Sequence, residues 1–266
     1  MKIAVCVKQV PDSWAEKKMA QGVLDRQGVD AVLNDLDEYA VEEALRIVEA
    51  HGGNGEAGPH SITVISMGPE RAVDAARKAL SMGADGAIIV TDSALAGSDA
   101  LATSKVLAKV IFDGGFDLVL CGTESTDARM SVVPAMLAQR LGWASLTFAG
   151  STQIDPEAMC ATIKRDTEVG IETISAKLPA VISVIEKINE PRYPSFKGIM
   201  AAKKKSMQVR GLASVGIGAE TVGSAGAWSS VVDAVARPAR TAGIKIVDEG
   251  SAGSALVDFL VERKLI

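Results

Sequence analysis

A run of glycine, hydroxyl and charged residues between a predicted strand and a predicted helix could bind a phosphate. Gly122 and the polar residues 123–127 follow the buried strand predicted at 117–121, and Ser131 could cap the next helix. Glycine permits a close backbone approach, hydroxyl groups donate hydrogen bonds, and a helix N-terminus favours an anion. Arg129 would add a positive charge. The same pattern is typical of an ordinary polar loop with a helix cap, and the chain has neither a GxGxxG nor a GxxxxGK[ST] motif.

Other residues that could do chemistry are few and scattered. The three cysteines form no CxxC motif and the two histidines share one glycine-rich segment, so metal-ligand spacing and a Ser/His/Asp relay are lacking. Carboxylates occur in pairs at Asp35 and Asp37 and at Glu42 and Glu43, which we interpret as charges at a helix start or on a solvated face. The lysines at 203–205 are interpreted as a solvated run. The sequence therefore predicts no catalytic residue and no metal site.

Composition narrows the class of protein further. The 266 residues carry a net charge of −5, which argues against binding to nucleic acid. No run of about 18 apolar residues occurs, so insertion into a membrane is not expected. The apolar run at 3–7 is too short for a signal peptide, and the isolated cysteines fit a reducing compartment. We therefore expect a cytoplasmic protein.

The elements that must position the polar loop alternate between strand and helix. Continuous β-branched runs predict strands buried on both faces, and apolar residues at helical spacing predict the helices between them. Such an order is typical of an α/β fold with a doubly wound, mostly parallel sheet of the nucleotide-binding, Rossmann-like kind. The strands are predicted at 3–7, 61–67, 86–90 and 117–121, and the helices at 38–50, 70–82, 98–111 and 131–141.

The pattern changes after residue 142. Two further buried strands are predicted at 144–149 and 179–185, with a β-hairpin between them made of the runs 159–165 and 170–175. Residues 210–242 have little periodicity and are interpreted as a linker or extended arm, and 254–265 predicts a short amphipathic helix. We therefore expect an α/β nucleotide-binding domain at 1–205, followed at 206–266 by a linker and C-terminal arm.

Ligands of open α/β sheets bind outside the carboxyl ends of the strands, at the point where the strand order reverses. Four stretches meet this condition. They are residues 8–12, 34–37, 67–69 and 122–133.

The segment NEPRYPSFKGIMAAKKK at 189–205 strongly resembles the signature of the electron transfer flavoprotein β subunit. Other stretches resemble the same family in the same order along the chain. They are VCVKQVPD at 5–12, residues 34–44 with AVEEA at their end, RKALSMGAD at 77–85, LPAV at 178–181 and RTAGIK at 240–245.

This resemblance implies an electron carrier and not an enzyme. Members of the family that it resembles are αβ heterodimers with one FAD, held mainly by the α subunit, and an AMP of structural role in the β subunit. They accept electrons from soluble dehydrogenases, such as the acyl-CoA dehydrogenases of fatty acid β-oxidation, and pass them to the respiratory chain through a quinone reductase. The resemblance also implies that the C-terminal arm docks on the α subunit.

The family's binding residues map onto positions of this chain. The resemblance assigns the nucleotide-binding role to Cys6, Asn34, Asp35, Leu36, Asp37, Met67, Gly122, Thr123, Glu124, Ser125, Thr126, Asp127, Ala128, Arg129, Met130, Ser131, Val132 and Val133. It assigns recognition of the partner dehydrogenase, with an apolar anchor at Phe196, to Pro191, Arg192, Tyr193, Pro194, Ser195, Phe196, Lys197, Gly198, Ile199 and Met200.

The chain departs from the family in the loop that often reads GKQxxD. The lysine and glutamine are replaced by Thr123 and Glu124, and a glycine by Ala128. The altered loop favours neither AMP nor a second FAD. Two alternatives remain beside an AMP-binding carrier. One is an electron-bifurcating subunit with a second FAD in the β site, and the other is a stand-alone nucleotide-binding module of the universal-stress type.

Overall fold

A parallel sheet with helices on both faces forms the larger unit of the chain. The structure is a computed structural model that describes residues 1–20, 23–55, 58–235, 237–238, 240 and 242–266. In chain order the elements are β1 (Lys2–Cys6), β2 (Gln9–Pro11), β3 (Met19–Ala20), β4 (Val23–Leu24), β5 (Ala31–Leu33), α1 (Asp35–Ala50), β6 (Ser61–Met67), α2 (Ala72–Met82), β7 (Gly86–Val90), α3 (Ala100–Gly114), β8 (Leu118–Gly122), α4 (Val133–Leu141), β9 (Ala144–Ala149), β10 (Ser151–Asp155), β11 (Cys160–Thr167), β12 (Gly170–Lys177), β13 (Ala180–Val184), α5 (Phe196–Ala202), β14 (Ser206–Arg210), α6 (Gly223–Gly226) and α7 (Ala252–Glu262).

Seven of the described strands pair in the order β14-β7-β6-β1-β8-β13-β9. Each neighbouring pair in this sheet is parallel, which confirms the predicted α/β fold. The chain runs outward from β1 to β6 and β7, and then returns to β8 on the other side of β1. The strand order therefore reverses between β1 and β8, and a ligand of this fold binds at their carboxyl ends.

The central strands of the sheet are mostly apolar because both faces of the sheet are covered there, whereas the edge strands β14 and β9 contain polar and exposed residues. All residues of β8 and β13 are buried, as are the last four of β1. One cluster of buried residues lies between the sheet and α1 and α2, and the other lies between the sheet and α3 and α4. Alanines such as Ala40, Ala76 and Ala79 are fully buried on the helices, so the helices lie close to the strands.

A three-stranded antiparallel sheet, β10-β11-β12, lies between β9 and β13 in the sequence, although these two strands pair with each other in the main sheet. β11 and β12 pair from Cys160 with Lys177 to Thr167 with Gly170, which confirms the predicted hairpin and extends both of its strands. Ile154, Ala161 and Ile163 face the first core cluster, so this excursion packs on the main sheet through one apolar face.

The sheet continues past the expected domain boundary at residue 205. β14 pairs with β7, and Leu212, Val215 and Val222 are buried in the second core cluster. The predicted linker therefore begins too early, because a segment poor in periodicity is held by an edge strand and by single apolar residues. The first compact unit is Met1–Asp233, and the second is Ala234–Ile266.

The second unit contains α7, which begins at Ala252, two residues before the start predicted from the sequence. Leu256, Val257 and Val261 on this helix are at least half exposed. Residues 236, 239 and 241 of the predicted linker lie outside the described residues. Among the helices of the described ranges, none is both long enough and apolar enough to cross a bilayer.

Candidate functional site

The loop after β8 is joined to the start of α1 at the point where the strand order reverses. Gly122 ends β8, and a Cβ there would lie 2.6 Å from Asp37 Oδ1 and 2.7 Å from the carbonyl carbon of Leu36. Only glycine therefore lets the first turn of α1 approach the strand end so closely. This contact brings together two of the stretches predicted from the sequence, 34–37 and 122–133.

Asn34 holds the loop in place. It occupies the N-cap position of α1, but its side chain makes no cap hydrogen bond to the helix. Its Nδ2 instead donates to the carbonyl of Glu124 at 2.9 Å, and its Oδ1 accepts from the amide of Thr126 at 3.0 Å. The Asn34 amide group therefore replaces a backbone turn and fixes the conformation of the predicted nucleotide loop.

An ion-pair cluster closes the loop from the other side. Asp127 Oδ1 accepts from Lys8 Nζ at 2.8 Å, and its Oδ2 accepts from Arg26 Nε at 2.7 Å. The Asp127 side chain is 2% exposed. Burial on its own would raise the pKa of Asp127, but the two cations more than offset it and hold the pKa at about 2. The carboxylate is therefore charged at neutral pH, and it links the loop to Lys8, just after β1, and to Arg26.

Asp37 is the buried carboxyl beneath the same loop. Its Oδ2 accepts from the amide of Lys8 at 2.7 Å, and the amide of Gly122 also donates to it. Burial outweighs these hydrogen bonds and raises the pKa of Asp37 to about 7. Asp37 is thus a charge at a helix start, as one of the two interpretations has it, but the solvated interpretation is wrong because the close approach of β8 removes it from water.

Apolar residues form the floor of this region. Cys6 ends β1 and lies opposite Cys121 of β8 in the parallel register, and both are buried. A hydrogen bond between the two thiols and burial raise the pKa of Cys121. Met67 and Val133 pack against the same cluster. The structure thus gathers Cys6, Met67 and Val133 on one face of the sheet. Asp35, by contrast, is exposed and accepts a hydrogen bond from Ser13.

The loop has some donors that fit an anionic phosphate and one group that opposes it. α4 begins after Val132 with no side-chain cap, so the amides of Val133 and Ala135 are left for another acceptor, whereas Pro134 between them has no N–H. Arg129 and Ser131 have positive φ angles of 49° and 55°, which turn the loop back toward the helix. Ser131 Oγ, however, donates to Glu124 Oε2 at 2.9 Å, which places a carboxylate beside this helix end. A phosphate therefore fits the backbone, and Glu124 must turn away to admit it.

The predicted recognition segment lies on a different part of the unit. Residues 188–192 run along the middle and end of α1, away from the loop at its start. Beyond them, Tyr193 is 93% exposed and Phe196, the first residue of α5, is 81% exposed. Ile199 and Met200 on the same short helix are also exposed. The structure thus presents a cluster of apolar side chains to solvent, as a docking surface requires.

Two carboxylates of α1, interpreted from the sequence as solvated, are buried and hold this segment in place. Glu42 and Glu43 are each 5% exposed on α1. Glu42 binds Arg192, whereas Glu43 accepts from Asn189 Nδ2 at 3.0 Å and from Arg46 and Thr152. The solvated interpretation is wrong because both side chains lie beside the buried stripe of α1 and are covered by the returning chain.

The far end of the segment rests on α2. A Cβ on Gly198 would lie 2.5 Å from the carbonyl oxygen of Ser81, so glycine lets α5 lie against the end of α2. Lys205 Nζ donates to the carbonyls of Leu80 at 3.1 Å and Ala84 at 2.6 Å. Burial lowers the pKa of Lys205. This lysine is therefore a cap for the last carbonyls of α2 and not part of a solvated run.

Sequence reasoning missed Arg26 and Glu49 as partners in these clusters. Arg26 lies in a polar stretch without periodicity, and only the folded chain brings it to Asp127. Glu49 carried a signal, since it follows Glu42 by seven residues, which is two helical turns on one face. Two carboxylates at that spacing indicate a face that can hold one arginine.

The chain is similar to proteins of known family. The family model of the electron transfer flavoprotein domain matches residues 21–214. Over 267 residues, covering 99% of both chains, the sequence is 48% identical to the electron transfer flavoprotein subunit beta of Mycobacterium bovis. It is 34% identical over 272 residues to the subunit of that name from Megasphaera elsdenii, covering 99% of this chain and 97% of the relative. It is 35% identical over 224 residues to Protein FixA of Azotobacter vinelandii, covering 82% and 77%.

Proposed function

The chain belongs to the electron transfer flavoprotein family as a β subunit, and we propose that it pairs with an α subunit to form a heterodimer that carries electrons on FAD. The observation that carries this proposal is similarity over 99% of both chains to a β subunit of this family. When bound, the flavin supplies the redox chemistry. The proposed role of this chain is to help bind, orient and shield the flavin, and the proposal assigns it no catalytic residue.

The C-terminal unit is the proposed contact with the α subunit. Leu256, Val257 and Val261 on α7 are at least half exposed, and Ile244 and Val247 before it are about three-quarters exposed. Because these side chains are already partly buried, covering each one fully on a partner would be favourable by roughly 1–2 kcal/mol. Deleting residues 235–266 should abolish the heterodimer, whereas a stand-alone nucleotide-binding module would be unaffected.

The loop at 122–133 is the proposed site of a structural AMP. The uncapped start of α4 would receive the phosphate, with Arg129 near it, and Cys6 and Met67 would lie beneath the nucleotide. The test is the nucleotide released when the purified αβ complex is denatured. One FAD with one AMP supports the proposal, and two FAD would replace it with the electron-bifurcating alternative.

Residues 191–200 are the proposed docking surface for dehydrogenases such as acyl-CoA dehydrogenases, and the electrons would then pass to a quinone reductase. Phe196→Ala removes the most exposed apolar side chain of α5. We expect it to raise the KM for the dehydrogenase about tenfold or more, because anchoring aromatic residues dominate such contacts. Flavin content should not change.

Ile171→Ala is the matched control for Phe196→Ala. Ile171 is 72% exposed on β12, outside the proposed docking surface. It should leave the KM unchanged. Equal effects of the two variants, or loss of flavin in Phe196→Ala, would contradict a recognition role.

The proposed location of the complex is the cytoplasm. Cys6, Cys121 and Cys160 are free thiols, and free thiols are the usual state in a reducing compartment. Fractionation of the source cells, with the complex followed by its flavin absorbance, tests this location.

A further inference from the structure

The exposed segment 193–200 is held at both ends, and the anchor at its start is a single arginine. We propose that Arg192 is a positioning residue that fixes the direction in which Phe196 is presented to a partner dehydrogenase. This inference rests on the docking role proposed above for residues 191–200. Arg192 itself does not have to touch the partner.

The guanidinium of Arg192 is shared by two carboxylates of α1. Nε donates to Glu42 Oε2 at 2.7 Å and Nη2 to Glu42 Oε1 at 3.0 Å. Nη1 donates to Glu49 Oε1 at 2.6 Å and Nη2 to Glu49 Oε2 at 3.0 Å. The backbone amide of Arg192 donates to Glu42 as well, at 3.2 Å. Two bidentate pairs fix the plane of the guanidinium as well as its position.

This cluster differs from an ordinary surface ion pair by the burial of Glu42, whereas the Glu49 side chain is 50% exposed. The Glu42 side chain is 7% exposed and that of Arg192 is 36% exposed. The hydrogen bonds that Arg192 donates to Glu49 and Glu42 raise the pKa of Arg192 further above its usual value. The guanidinium is therefore charged at any working pH, and the contact is held by geometry that a flexible surface pair lacks.

The other end of the segment allows no compensating movement. Ser195 caps α5 by accepting from the amide of Gly198 at 3.0 Å, and Gly198 lies against the carbonyl of Ser81. Ala202 is buried and Lys205 is bound to the end of α2. Only the start of the segment can release it. With Arg192 in place, Phe196 is ordered before the partner arrives, which lowers the entropic cost of docking.

The test uses the αβ complex with the double substitution Glu42→Gln and Arg192→Gln. Removing both charges leaves no unpaired carboxylate in the interior, so the fold is spared the cost of a broken buried pair. The donor is an acyl-CoA dehydrogenase that reduces the wild-type complex. We expect its KM to rise about tenfold with kcat within about twofold, since the anchor remains but its direction is lost. Amide exchange of residues 193–200 should accelerate.

Two comparisons separate positioning from general damage. Reduction of the complex by dithionite, which needs no docking, should proceed at the wild-type rate. The control Arg165→Gln removes the arginine of another ion pair, in which Arg165 Nε lies 2.7 Å from Glu172 Oε2 on the hairpin. It should leave the KM unchanged. Slower dithionite reduction, or an equal rise of the KM in Arg165→Gln, would overturn the inference.

The outcomes also separate this inference from the function on which it rests. If Phe196→Ala raises the KM and the double variant does not, Arg192 has no positioning role and the docking surface stands. If neither variant changes the KM, the docking surface is refuted and the inference falls with it. Arg192→Lys loses both bidentate contacts but keeps a cation beside Glu42, and it is the variant to use if the double variant does not assemble. A KM raised about threefold supports the inference, and an unchanged KM overturns it.

Discussion

Asp37→Asn should make the stability of the complex less dependent on pH. The buried carboxyl has a pKa raised from 3.8 to about 7. Between these values the folded chain binds a proton that the unfolded chain does not, so stability is full below pH 3.8 and falls as the pH rises through 7. A shift of about three pKa units corresponds to a ceiling of roughly 4 kcal/mol. The N-terminal dipole of α1 also favours the carboxylate, so we expect about 2–4 kcal/mol.

The assay is the thermal unfolding midpoint of the αβ complex from pH 4.5 to pH 8 at fixed concentration. Relative to the wild type, Asp37→Asn should gain at least about 5 °C at pH 8 compared with pH 4.5. Asp35→Asn, in the same helical turn but exposed, is the matched control and should follow the wild type. Parallel pH profiles for Asp37→Asn and the wild type would refute the reasoning that Asp37 is protonated in the folded chain near neutrality.

Two further substitutions test how the loop is held. Gly122→Ala forces a Cβ to within 2.6 Å of Asp37 Oδ1 and should lower the free energy of unfolding by about 1–3 kcal/mol, measured by thermal unfolding. The control Gly86→Ala, whose Cβ meets nothing closer than 3.4 Å, should lower it little. Equal losses in the two variants would show that α1 moves away freely. Asp127→Asn removes the ion pairs with Lys8 and Arg26 and should cost about 1 kcal/mol at pH 7, since both partner cations are partly exposed. Its loop amides should exchange faster and its AMP content should fall, and unchanged exchange would mean that Asn34 alone holds the loop.

The central sheet was predictable because its signal is local. The β-branched runs at 61–67 and 86–90 are strands at those bounds, since a strand buried on both faces has no polar alternation to obscure its ends. The residues at which the helices start were predicted less accurately. α1 begins at residue 35 and not at 38, because its first turn is polar and is held by contact with Gly122, which lies far away in the sequence.

The site was predictable as a place but not as a set of contacts. The strand-end rule directed attention to residues 34–37 and 122–133, which the structure joins through Asn34. The burial of Asp37 and Glu42 was not predictable, because charged residues at these positions are usually solvated and only the packing of distant strands removes the water. The same applies to β14, whose weak pattern becomes a strand only beside β7.

The position of β14 also determines when the sheet can be completed during synthesis. β14 covers one side of β7, yet it comes from residues 206–210 and β7 from residues 86–90. Until the ribosome has released the later segment, the nascent chain exposes a run of unpaired amides and carbonyls along GAIIV, which is a template for pairing with another chain. A fragment that stops at residue 205 would keep that edge permanently. The shortest aggregation-resistant form of this unit therefore includes β14 and the apolar residues that follow it.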